Sequence, residues 1–165
     1  MKIKVNSKFE FTNVKCECAD EKFCGFEYCF LKSVNRSYKY ISIKVNLHKL
    51  PITNFSFNFV LWKRFNGYKP FLYNFTIENG CKFLGNPKSR NPVQKYFFDF
   101  FGPYGNMNHK CPFNHDIFIE KVPTSSIDYR LTKLLPFPEG DYLFDVTWLI
   151  LGKPCTYVKV YGTLS

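Results

Sequence analysis

Along most of this chain apolar and polar residues alternate with a period of two, the pattern of β-strands that bury one face. In 38–50, Ile41, Ile43, Val45 and Leu47 alternate with Tyr40, Ser42, Lys44 and Asn46, and Pro51 closes the strand. In 55–62, Phe55, Phe57, Phe59 and Leu61 alternate with Ser56, Asn58, Val60 and Trp62. In 71–78, Phe71, Tyr73, Phe75 and Ile77 alternate with Leu72, Asn74, Thr76 and Glu78. After the turn Pro138-Glu139-Gly140-Asp141, the residues Tyr142, Phe144, Val146, Trp148 and Ile150 repeat the pattern. Further strands are predicted at 8–18, 23–31, 116–122, 127–135 and 155–162. The first two of these flank a turn at Asp20-Glu21-Lys22 and are expected to pair as antiparallel neighbours.

Parity specifies how 55–62 and 71–78 pair, because a slip of one residue would turn every side chain over. A three-residue loop, Phe65-Asn66-Gly67, sets Phe59 opposite Tyr73 and Phe57 opposite Phe75, so the aromatic faces coincide. That loop also puts Gly67 at the position that takes a left-handed conformation. The extra residue in Glu78-Asn79-Gly80-Cys81 predicts a bulge or widened turn at the far end of the hairpin.

The period changes at 91–102, NPVQKYFFDFFG. Val93, Tyr96, Phe97, Phe100 and Phe101 recur at helical spacing, with Asn91 as N-cap, Pro92 at the first helical position and Gly102 as the stop. A short inserted helix is predicted over about 92–101. It reads as a lid over the core, or alternatively as a mobile flap over a ligand pocket; exposed aromatic residues without a partner would be costly, which favours the lid.

Seven strands or more at this spacing, in 165 residues with 45% hydrophobic content, predict one all-β domain over 1–165: a two-sheet antiparallel sandwich. Residues 1–7 are expected to form a poorly ordered N-terminal extension. The aromatic fraction of 20% strengthens the β assignment. It also supplies more inward apolar surface than a flat sandwich needs, so the residues that would line a cavity between splayed sheets are candidate ligand contacts: Ile43, Val45, Phe57, Phe59, Leu61, Phe71, Tyr73, Phe75, Phe97, Phe101, Phe144, Val146 and Trp148. A filled core produces the same pattern.

The net charge of +10 changes this picture little, because the 23 Lys and Arg are scattered and form no basic tract. A solvated surface accounts for them, an anionic lipid or glycan surface comes next, and nucleic acid is not expected as a partner. Seven cysteines without a CxxC pair read as a disulfide framework with one thiol left over. Cys16 and Cys29 could staple 8–18 to 23–31, with Cys18 and Cys24 nested inside, although spacing does not fix the connectivity. A Cys81–Cys111 bridge would enclose the helical insertion. Sequons at Asn35, Asn54 and Asn74 are candidate glycosylation sites and agree with a secreted protein. The first residues, Met1-Lys2-Ile3-Lys4-Val5-Asn6, contain no apolar signal core.

Candidate chemistry is thin. His109-x-Cys111-x3-His115-Asp116 gathers three ligand types, but structural zinc takes four ligands, usually with a second paired motif, so neither a metal nor another cofactor is expected. There is no nucleophile elbow and no Gly-rich phosphate loop, and an enzyme is not expected. His48 reads as a surface residue.

The order FTNVKC (11–16), YCFLKSVNR (28–36), NGYKPFLYNFT (66–76), CKFL (81–84), NHKCPFNHD (108–116), LPFPEGDY (135–142) and VKVYGTLS (158–165) resembles an insect-expanded secreted family, domain of unknown function 1091, itself similar to the ML (MD-2-related lipid-recognition) proteins. The resemblance implies an immunoglobulin-like, ML-like sandwich whose two sheets splay into a cup for an acyl chain or other apolar ligand, with some relatives linked to contact chemosensation. It also implies that Cys16, Cys29, Cys81 and Cys111 are the family's cysteines and that Cys18, Cys24 and Cys155 are additions. The expected function is therefore a secreted monomer holding a lipid or hydrocarbon, with Tyr73 or rim lysines orienting a polar head. The alternative is an extracellular module with a filled core that engages a membrane receptor or channel through loops 101–114 and 134–141.

Overall fold

The computed structural model describes residues 7–165, so the expected N-terminal extension lies, for residues 1–6, outside the described residues. Among the described residues, eight strands form two antiparallel sheets packed face to face. The larger sheet has the order β1-β8-β7-β4-β5 and the smaller β2-β3-β6, where β1 is Phe9–Cys18, β2 Cys24–Asn35, β3 Tyr38–Leu47, β4 Ser56–Phe65, β5 Gly67–Ile77, β6 Ile117–Pro123, β7 Gly140–Ile150 and β8 Lys153–Leu164. This is the all-β two-sheet sandwich that the alternation predicts.

One expected pairing is corrected. β1 and β2 do not form a hairpin: β1 pairs with β8, from Phe9 opposite Leu164 to Cys18 opposite Thr156, while β2 pairs with β3. The short connection between them crosses from one sheet to the other, turning where Phe23 N–H donates to the Asp20 carbonyl at 3.0 Å. Two disulfides, Cys16–Cys29 and Cys18–Cys24, then clamp the two sheets along that shared edge, with Cα–Cα distances of 6.3 and 6.1 Å.

The β4–β5 hairpin follows the predicted loop at its tip. Arg64 faces Tyr68 across Phe65-Asn66-Gly67, and Gly67 has φ of +94°. Beyond the tip the register shifts between Val60 and Trp62, where β5 carries two extra residues. Leu72 takes up the excess with φ of +64° and points outward, 73% exposed. Because the excess is two residues, parity survives, but the partners move: Phe59 faces Phe75 rather than Tyr73, and Phe57 faces Ile77 rather than Phe75.

The helical content exceeds the single predicted helix. β5 stops at Ile77 and leads into α1 (Gly80–Gly85), whose N-cap is Asn79: its side chain accepts a hydrogen bond from Lys82 N–H at 3.0 Å. The extra residue before Cys81 thus serves as a helix cap and not as a bulge in the ladder, and Cys81 still reaches Cys111 in a disulfide. α2 (Pro92–Phe98) begins as expected, with Asn91 Oδ1 accepting from the N–H groups of Val93 and Gln94 at 2.9 and 3.2 Å. It ends three residues earlier than predicted and continues, after a break, as a 3-10 turn at Gly102–Tyr104. The segment 127–135, expected as a strand, is α3 (Thr124–Tyr129) followed by a π-helical turn at Arg130–Leu134. Its buried residues Ile127 and Leu131 stand four apart, the spacing of one helix face.

The buried side chains form two clusters. One gathers Phe9, Phe11, Ile43, Phe59, Phe97, Phe100, Phe144 and Val160 with α3; the other gathers Val45, Phe55, Ile77, Phe113, Ile117 and Trp148 around the disulfide-bonded end. Phe26 and Phe75 touch both. Cys155 is buried in the second cluster as a free thiol, and burial pushes its pKa up.

Candidate ligand-binding cavity

Where the two clusters meet, the core is hollow. A cavity of about 170 Å3 lies between the sheets. From the large sheet it is lined by Phe57 and Phe59 of β4, Phe75 and Ile77 of β5, Phe144, Val146 and Trp148 of β7, and Thr156, Val158 and Val160 of β8. The small sheet contributes Phe26 of β2, Ile43 and Val45 of β3, and Ile117, Phe118 and Ile119 of β6. On every contributing strand that supplies more than one residue, except β6, which lends three consecutive residues, these positions meet because alternate residues turn inward, and opposite residues such as Phe59 and Val146 or Val146 and Val158 are register partners on one face. The edge of the sandwich where β1 meets β2 is closed by the two disulfides. The excursion between β5 and β6 covers the other flank with Gln94, Phe97, Phe98, Phe101, Gly102 and Met107.

The covering segment is firmly seated. The ring of Phe97 lies 4.6 Å from that of Phe59 and 4.9 Å from that of Tyr73, and Phe97 itself is buried. Tyr96 sends its hydroxyl across to the Arg130 carbonyl at 2.6 Å. Burial pushes the pKa of that phenol well above the ordinary value, so the hydroxyl remains a donor throughout the physiological range. Arg90 pins the entry to α2: its Nε donates to the Phe83 carbonyl at 2.8 Å, and its terminal nitrogen donates to the Leu84 carbonyl and to Asn108 Oδ1 at 3.3 and 3.0 Å. The guanidinium also stacks over Phe83 and Phe98. Arg90 thereby joins α1, α2 and the loop before β6. In the sequence it is one of the scattered basic residues.

Ten of the thirteen residues put forward from the sequence line this cavity: Ile43, Val45, Phe57, Phe59, Phe75, Phe97, Phe101, Phe144, Val146 and Trp148. Leu61, Phe71 and Tyr73 do not, and their expected place is corrected. They point inward, but at the hairpin end, where the core is solid: Tyr73 packs on Phe97 and Phe137, Phe71 on Phe65 and Tyr142, and Leu61 is fully buried opposite Phe144. Tyr73 is therefore not placed to orient the head of a ligand in the cavity. Phe26, Ile117, Ile119, Val158 and Val160 line the cavity and were missed. Their alternation was visible, but nothing in it indicated that the hollow lies at this height between the sheets.

The histidine-rich segment serves the scaffold. Cys111 is held by Cys81 and is not a thiolate, and Asp116 Oδ1 accepts from Leu47 N–H at 2.8 Å. His109 and His115 meet through their Nε2 atoms at 2.8 Å and pack against Phe113. His48 is exposed, with Nδ1 3.2 Å from the Glu21 carbonyl oxygen. No group of three or more metal-ligating side chains converges among the described residues. Asn35, Asn54 and Asn74 are all exposed.

The sequence profile of the family described as "Protein of unknown function (DUF1091)" matches residues 57–144, just over half of the chain. The chain belongs to this family. Within this DUF1091 protein the matched stretch runs from β4 through the first residues of β7, and so contains half of the lining that each sheet supplies, the covering segment and the Cys81–Cys111 disulfide. Among solved structures it is similar to a Niemann-Pick type C2 protein from the Japanese carpenter ant, with 15% identity, 88% of this chain and 95% of that chain covered, and a TM-score of 0.42. No curated protein matches the sequence.

Proposed function

We propose that this protein is a secreted binding protein that holds a small apolar ligand between its sheets. The observation that carries the reading is the cavity itself: its lining is almost wholly aliphatic and aromatic, and it includes residues from both sheets and from the segment over their open flank. An engineered apolar cavity of about 150 Å3 stays dry and takes up benzene. The portion of a ligand that 170 Å3 accommodates is of the size of a substituted benzene or a short hydrocarbon chain. Three disulfides suit an oxidising, extracellular setting, and the exposed sequons suit glycosylation there. No helix among the described residues is long and apolar enough to cross a membrane. Binding rather than catalysis is proposed, and a chemical cue for a chemosensory cell is the role such a cargo would suit.

Ethylbenzene is expected to bind to the native protein at one saturable site in a calorimetric titration. Substituting Val146→Trp fills the cavity from the middle of β7 and should weaken that binding at least tenfold, while the cooperative unfolding transition is retained because the added bulk enters empty space. Unaltered binding to V146W would place the ligand elsewhere.

A second role is favoured by a separate observation. Leu134 and Leu135, at the end of the π-helical turn before β7, are 51% and 41% exposed, and Tyr129 at the end of α3 is 57% exposed. An apolar patch of this kind suits contact with a receptor or channel, and such contact is compatible with a loaded cavity.

A further inference from the structure

We propose that one end of the sandwich, formed by the β4–β5 hairpin tip and the segment leading into β7, docks on a bilayer that carries anionic phospholipids. The two meet because Tyr142, near the start of β7, is the register partner of Lys63, near the end of β4, so residues 134–139 arrive beside the tip. The tip exposes Phe65, at 56%, and Tyr68, and the incoming segment exposes Leu134 and Leu135. Phe65 leans on Phe71, with ring centroids 6.0 Å apart, and turns the rest of its surface to solvent. Exposed apolar groups gathered in one place mark a contact surface. The core behind them is filled by Phe71, Phe137 and Tyr142, so this end is separate from the cavity.

The charges around these groups select the partner. Lys63, Arg64 and Lys69 flank the tip and Lys133 precedes Leu134, against Glu139 and Asp141 as the acidic residues of 133–141. Lys63 and Lys69 are register partners across the hairpin, an arrangement of like charges that costs stability. Neither forms an ion pair among the described residues, and Arg64 comes no nearer than 3.8 Å to Asp141 Oδ2. Lys63 Nζ lies 4.5 Å from the centre of the Phe65 ring, so a cation and an apolar ring stand at one level. That combination fits the boundary between lipid headgroups and acyl chains. Phe65, Leu134 and Leu135 enter it, Tyr68 sits at its polar side, and the lysines bury their stems while their ammonium groups reach lipid phosphates. Anionic headgroups also relieve the repulsion between Lys63 and Lys69, which neutral lipid does not.

Flotation of the native protein with vesicles provides the test. The protein should bind vesicles of phosphatidylcholine containing about 30% phosphatidylserine and not vesicles of phosphatidylcholine alone, and added salt should weaken the binding. Replacing two tip cations together, Arg64→Ser with Lys69→Ser, should lower the partition about tenfold or more. The control pair, Lys22→Ser with Lys153→Ser, changes the net charge equally at exposed positions of the opposite end and should lower it less than about threefold. Phe65→Ser removes apolar surface without touching charge and should lower it about fivefold. An independent reading comes from Phe65→Trp, whose emission should shift to shorter wavelength on addition of the anionic vesicles and not of the neutral ones. Equal losses from the tip pair and the control pair, or no loss in F65S and no shift in F65W, would reduce the binding to attraction by net charge and overturn the proposal. Absence of binding to either kind of vesicle would also overturn it and leave this end, with Leu134 and Leu135, to a protein receptor; ethylbenzene binding in the cavity would be untouched by that outcome.

Discussion

Replacing Phe144 by Ala is expected to lower the free energy of unfolding by about 3–5 kcal/mol. Phe144 is fully buried at the centre of β7, and its ring meets those of Phe9, Phe100 and Phe101 at 6.1, 5.5 and 6.4 Å. It thus joins the large sheet to the segment that follows α2. The side chain also borders the cavity, so the space it leaves merges with an existing hollow and cannot be closed by a small local collapse. Both facts place the loss toward the upper part of that range. Guanidinium unfolding with the disulfides intact would measure it. The same substitution should enlarge the site, so a probe bulkier than ethylbenzene should gain relative affinity in the variant even as the fold weakens.

The second large effect is expected from the Cys81–Cys111 disulfide. It closes a separation of 30 residues, for which the chain-entropy estimate is about 3–4 kcal/mol; the same estimate for Cys18–Cys24, with a separation of six, is about 2 kcal/mol. The paired substitution of Ser at 81 and 111 should therefore lower the melting temperature more than the paired substitution at 18 and 24. It should also differ in kind. The segment between Cys81 and Cys111 carries Phe97, Phe98, Phe101 and Met107 over the cavity, whereas Cys18–Cys24 only reinforces an edge that Cys16–Cys29 already holds. Loss of the first should weaken ligand binding along with stability, and loss of the second should leave binding at its original strength below the melting transition. Thermal melts and titrations on both variants separate the two contributions.

Strand identity was legible wherever one face is buried and the other wet. Ile41, Ile43, Val45 and Leu47 are buried as their alternation requires, and the inward set Phe57, Phe59, Phe75 and Ile77 survives a change of register because the bulge at Leu72 adds an even number of residues. Parity carries no information about which sheet a strand joins. The cysteines tying β1 to β2 are equally compatible with a hairpin and with a clamp across two sheets, so proximity in sequence gave the wrong neighbour. Helix signals were read where cap and stop framed a long aromatic repeat, as at Asn91, and missed where the helix was one turn and a half. Asn79 caps α1 by the same chemistry as Asn91, but it follows the end of a convincing strand and so reads as a bulge or widened turn there. At 127–135, Ile127 and Leu131 carry the helical spacing, but Ile127, Tyr129 and Leu131 also alternate with Asp128, Arg130 and Thr132 and so read equally as a strand.

The site was legible as a set of inward-facing residues and not as a volume. Phe59, Val146 and Trp148 follow from alternation alone, and so do Leu61, Phe71 and Tyr73, which fill the core at the hairpin end. The difference lies in which side chains from the opposite sheet and from the inserted segment reach the same height. Phe137 and Tyr142 occupy the space beside Tyr73, while no comparable side chain enters the space between Val146 and Ile119. Such packing depends on contacts between residues far apart in the chain, which a periodic pattern does not encode.

The space between the sheets is proposed to be a dry apolar chamber able to receive a guest. A crystal structure of the protein under xenon pressure tests it most directly, because xenon enters empty apolar cavities and scatters strongly. Xenon should appear between the sheets, in contact with Phe59, Val146 and Ile119, with the surrounding side chains unmoved. A core in which those side chains meet and leave no site for the gas, or a chain of ordered waters in its place, would contradict the account.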